Sequence, residues 1–75
     1  MLTENKIKEV VLDYYGSDSV YSVEEAVELE VGEHNSGRFR CHYTDRRKMR
    51  TVVGAGSIYI KEDAVIINGY EIKVS

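Results

Sequence analysis

The 75-residue sequence contains no proline, one cysteine and two histidines. Without proline, no residue fixes φ or removes a backbone donor, which favours continuous regular structure with few rigid loops. One cysteine excludes an intrachain disulfide. With two histidines beside it, a Cys/His zinc site would need carboxylates to complete it. No run of 18 apolar residues is present, so no transmembrane helix is expected. The segment MLTENKIKEV has neither a basic n-region nor an apolar h-region, so a secretory signal is not expected. A lone thiol fits a reducing compartment, and a cytoplasmic location is the expectation. A chain of this length forms one domain over residues 1–75, held by a single small core.

What is present is charge, and it is segregated. Six of the ten Lys and Arg residues lie between Arg38 and Arg50, a stretch whose one acid is Asp45, giving +5. Residues 1–37 hold nine acids against Lys6 and Lys8, giving −7. The net charge of −3 therefore hides two opposed blocks. Such blocks either close on each other or face a partner.

Periodicity predicts an α+β domain: an N-terminal helix packed on a four- to five-stranded antiparallel meander. The alternative is a small bent half-barrel, curled at Gly54 and Gly56. The helix spans about 3–15. Thr3 is its N-cap, Ile7, Val10, Val11 and Tyr14 form its apolar stripe, and Gly16 ends it. Ser17-Asp18-Ser19 reads as loop. Alternation from Tyr21 to Val31 predicts a strand over about 20–31. Ser22-Val23-Glu24-Glu25 also fits a capping box, which would make 22–28 a short helix instead.

Further strands are predicted at about 38–44, 49–60, 64–67 and 70–74. Keeping apolar residues on one face sets Val31 opposite Phe39, Leu29 opposite Cys41 and Val27 opposite Tyr43. The other face then pairs Glu30 with Arg40, Glu28 with His42 and Glu24 with Arg46, and residues 33–37 form the loop. Val52, Gly54, Gly56, Ile58 and Ile60 share the inner face of the third long strand. Asn68-Gly69 is the strongest turn signal, because a type I′ turn needs positive φ at both positions.

No catalytic constellation emerges, and neither an enzyme nor a cofactor or metal is expected. Cys41 and His42 are adjacent on a strand and point to opposite faces, so they do not make a nucleophile and base. Gly54-Ala55-Gly56 lacks the lysine and the strand-to-helix context of a phosphate loop. Of the six tyrosines, Tyr14, Tyr43 and Tyr70 fall on core-facing positions. Tyr15 and Tyr59 fall elsewhere, and exposed tyrosines anchor interfaces.

The run from Val65 to Ile72 slightly resembles the second motif of the Sm-like RNA-binding family, in which apolar residues precede a basic residue and a glycine. Asn68 stands at the basic position, and the family's Asp- and Asn-bearing first motif is not recognisable around Asp45 and Met49. An Asn-Gly hairpin accounts for the same residues, and no site is carried over from the family.

The expectation is a small non-enzymatic binding domain acting on a protein partner, of inhibitor or accessory type. So short a chain suits a viral or mobile-element protein. Its contact residues would be Arg46, Arg47, Lys48, Arg50, Tyr59, Glu28 and Glu30. The alternative is a single-stranded nucleic-acid binder using Arg38, Arg40, Arg46, Arg47, Lys48 and Arg50, with Tyr43 or Tyr15 against bases. A third expectation is a homo-oligomer built through open sheet edges. No membrane partner is expected.

Overall fold

The first helix, α1, spans Glu4–Tyr14. The Lys6 N–H donates to Thr3 Oγ1 at 3.1 Å, so Thr3 caps it, and Glu4 adds favourable charge at the dipole's positive end. These coordinates are a computed structural model that describes residues 2–16, 22–45 and 47–74. Ile7, Val10, Val11 and Leu12 form the buried stripe of α1. Gly16 ends the helix with a φ of 114°, in the left-handed region the sequence calls for. The predicted loop Ser17-Asp18-Ser19 lies outside the described residues.

Five strands follow in the order β1-β2-β3-β4-β5, each antiparallel to the next. They are β1 (Val27–Val31), β2 (Ser36–Asp45), β3 (Arg50–Ile60), β4 (Ala64–Ile67) and β5 (Tyr70–Lys73). This is the predicted α+β meander. It stays open, with β1 and β5 at its two edges, rather than closing into a barrel.

Two expectations need correction. Residues 22–28 are not all strand: Val23–Ala26 forms one helical turn, α2, and β1 begins only at Val27. Ser22 caps α2 by accepting from the Glu25 N–H, as the capping box allows. The physical reason lies next door. Ala26 and Val27 are both buried in the core, and a period-two strand cannot turn two consecutive side chains inward.

The β1–β2 register is also two residues from the prediction. Val27 sits opposite Cys41, Leu29 opposite Phe39 and Val31 opposite Gly37. A two-residue slip keeps every side chain on its predicted face but changes its partner. Glu28 now faces Arg40 and Glu30 faces Arg38. The loop is correspondingly tighter. The Asn35 N–H donates to the Gly32 carbonyl (3.2 Å) and the Gly32 N–H to the Ser36 carbonyl (2.9 Å). Asn35 takes a φ of 58°, which asparagine tolerates well, so Glu33-His34-Asn35 closes a three-residue hairpin. Gly37 permits the crossing, since a side chain there would collide with the Glu30 carbonyl.

The later hairpins match the sequence. Ile58 pairs with Ile67 and Ile60 with Val65, then Ile67 with Tyr70 and Val65 with Ile72. Asn68 and Gly69 take φ values of 52° and 85°. The core lies between α1 and the inner face of the sheet, where Val11, Val27, Cys41, Ile58, Val65 and Ile67 are fully buried.

Candidate functional site

Only one face of the sheet carries the helix layer. On the other, strand alternation projects Glu28 and Glu30 from β1, and Arg38, Arg40 and His42 from β2. From β3 come Val53, Ala55, Ser57 and Tyr59. The backbone register turns the sequence blocks into parallel rows, acids on the edge strand and bases beside them. Glu28 lies directly across from Arg40 and Glu30 across from Arg38, and these residues line a shallow groove with Ala55 at its floor. Among the described residues, no ion pair within 4.0 Å joins Glu28 or Glu30 to Arg38 or Arg40. Tyr59, 43% exposed, stands farther along the same face beside Ile66.

The second feature is an arm. β1 pairs with β2 only as far as Cys41, and β4 pairs with β3 only from Ile58 to Ile60. Residues 42–45 and 50–53 therefore run on as a two-stranded ribbon. Its tip carries Arg47, Lys48 and Arg50, all exposed, while Arg46 lies outside the described residues. Asp45 is engaged by the backbone of the turn. Its Oδ1 accepts from the Arg47 N–H (2.9 Å) and the Lys48 N–H (3.3 Å), which closes the turn. Met49, with a φ of 52°, is the most exposed large apolar residue at the tip.

The tyrosines under the arm redistribute the predicted roles. The Tyr15 ring stacks on Tyr43 at 4.8 Å, edges onto Tyr14 at 5.0 Å and packs near Phe39 at 6.0 Å. It fits because Gly54 has no side chain; a Cβ there would meet the Tyr15 ring at 2.7 Å. Tyr15 is thus half-buried packing, and the faces that Tyr15 and Tyr43 turn to each other are taken up by that stack. Burial raises the Tyr15 phenol above its ordinary range, helped by nearby Cys41 and opposed by a hydrogen bond with Asn68. Conversely, Tyr14 and Tyr70, expected in the core, are 40% and 63% exposed. Alternation on its own did not reveal that β5 is an edge of the sheet, with no strand beyond it among the described residues.

Cys41 is fully buried, packed in the core like a small apolar residue, and burial pushes its thiol up. The expected pairing of Glu24 with Arg46 lies outside the described residues; Glu24 accepts from Asn5 Nδ2 at 2.9 Å. Its own backbone N–H and that amide hold its carboxyl below the usual range. Among the described residues, no three His, Cys, Asp or Glu side chains converge as a metal-ligand group. No helix among them is long and apolar enough to cross a membrane. Comparison with protein-family models finds no match, and comparisons with curated proteins and with solved structures find none either.

Proposed function

We propose that this chain is a non-enzymatic binding domain whose partner is a protein. The contact surface is the uncovered sheet face together with the basic tip of the β2–β3 arm. The observation that carries the reading is the pair of opposed charge rows, Glu28 and Glu30 against Arg38 and Arg40, exposed and not closed into ion pairs with each other. A uniformly anionic polymer laid on this face would gain from the arginines and be repelled by the glutamates one strand away. A protein surface can match both signs, and complementary potentials of this kind set orientation and exclude wrong partners. Tyr59 and Val53 supply the apolar anchor that such faces use. A cytoplasmic setting suits the single thiol, and the proposed role is of inhibitor or accessory type, viral or mobile-element in kind.

The test is affinity capture at low and moderate salt by three forms of the domain. One is wild type, one carries Arg38→Glu with Arg40→Glu, and one carries Glu28→Lys with Glu30→Lys. A protein retained by the wild type and lost with both reversals supports the reading. Capture indifferent to both would sink it.

The arm favours a second reading, a nucleic-acid binder using Arg38, Arg40, Arg46, Arg47, Lys48 and Arg50, because Arg47, Lys48 and Arg50 are exposed at its tip, where Asp45 Oδ1 accepts from the backbone of the turn. Fluorescence anisotropy with labelled single-stranded and duplex oligonucleotides separates the two. Saturable binding that weakens steeply with salt would promote the nucleic-acid reading over the protein one.

A further inference from the structure

We propose that β5 is a self-association edge: two copies join their β5 strands antiparallel about a two-fold axis at Ile72, continuing one sheet through both. This is independent of the sheet-face reading above. The first observation is the direction of the backbone groups. Tyr70 pairs with Ile67 across a two-residue turn, and the Val74 N–H donates to the Asp63 carbonyl at 2.8 Å. Antiparallel ladders alternate, so Tyr70, Ile72 and Val74 turn their amides toward β4. Glu71 and Lys73 turn their N–H and C=O groups outward, to an edge with no strand beyond it among the described residues.

The second observation is the charge at those two positions. With Ile72 on the axis, Glu71 of each copy lies opposite Lys73 of the other. Both residues have outward backbone groups, so each such pair closes as a hydrogen-bonded pair. On the helix side the same register sets Tyr70 opposite Val74 and Ile72 opposite Ile72. Sliding by one residue would put polar side chains against apolar ones. Sliding by two would set Glu71 against Glu71 or Lys73 against Lys73. Like charges directly opposite destabilise a sheet, so one register is selected. Today Lys73 makes only exposed contacts, to Glu71 at 3.4 Å and Asp63 at 3.8 Å, and Glu71 is 3.7 Å from Lys61. These are weak surface pairs that can be shared across a seam.

The third observation is the groove between α1 and β5, lined by Val10, Ile72 and Val74 together with Lys6, Asp13 and Lys73, where the Tyr14 and Tyr70 rings stand 6.3 Å apart. A second copy at the edge covers these two exposed rings. The opposite edge gives the contrast. Pairing β1 with itself about Leu29 would set Glu28 against Glu30 of the other copy, acid on acid. The fold thus has one edge that repels its own copy and one that complements it.

Sedimentation velocity at low salt, from ~1 μM to ~1 mM protein, tests the proposal, because a millimolar Kd corresponds to only about −4 kcal/mol. Wild type is expected to pass from monomer to dimer. Lys73→Glu turns two attractive pairs into two repulsive ones and weakens association roughly tenfold. Glu71→Lys combined with Lys73→Glu restores the complementarity and should recover association. Hydrogen exchange on wild type gives a readout free of substitutions: the Glu71 and Lys73 amides should gain protection as concentration rises. A wild type that stays monomeric throughout, a single reversal without effect, a double exchange that fails to recover, or amides whose exchange ignores concentration would each overturn the proposal.

Discussion

Gly54 and Tyr15 show how much one missing side chain controls. The Tyr15 ring occupies the space a Cβ on Gly54 would need, and it stacks on Tyr43 to prop the base of the arm. Gly54→Ala should destabilise the domain by about 1–3 kcal/mol, the usual cost of overpacking. Chemical denaturation checks this. Because the clash is with one ring, the loss should shrink in a Tyr15→Ala background, and a double-mutant cycle would measure the coupling. Burial of Tyr15 and Cys41 also has a pH consequence. Both acids are raised above their ordinary values of 10.0 and 9.0, so the folded state holds these protons more tightly than the unfolded chain. The stabilisation is full below pH 9.0 and is lost as pH rises through the ordinary values and then the raised folded ones. Denaturation midpoints should therefore fall above that point, and less steeply for Tyr15→Phe.

At the scale of elements, the two ends of the sheet were unequally legible. The β3–β4–β5 meander could be read in full, because Asn68-Gly69 leaves one turn geometry and period-two apolar residues then fix the pairing. Asn68 also does something sequence could not reveal: its Oδ1 accepts the Ser57 N–H at 3.0 Å, carrying the β3 edge past the point where β4 turns away. Asn68→Gly keeps the turn's backbone but removes that acceptor, and should cost about 1 kcal/mol in thermal or chemical unfolding. The β1 end was harder to read. The apolar pattern admits registers two residues apart equally well, and only the close approach of Gly37 to Glu30 and the left-handed Asn35 decide between them. In α2 the signal was present in Ser22, but it competed with the apparent alternation from Tyr21 to Val31. Ser22→Ala should cost about 1 kcal/mol, the typical price of a lost N-cap.

For the whole molecule, the opposed charge blocks of the sequence meet as neighbouring rows, with Glu28 across from Arg40 and Glu30 across from Arg38 in place of the predicted Glu30–Arg40 and Glu28–His42 pairing. Their register changed, their rows stayed adjacent, and the basic remainder was carried out to the end of the arm. The candidate surface was thus partly visible in composition. The arm was not, because its existence depends on where β1 and β4 stop rather than on anything in residues 42–53. That geometry says how the chain can be divided. The tip joins Arg47 to Lys48 in an exposed turn, the kind of place where a protease nicks a folded domain first. A cut there separates α1 through β2 from β3 through β5, yet ten paired positions still tie β2 to β3. The two halves should stay together without a covalent link, and separately made fragments should reassemble into the domain when mixed.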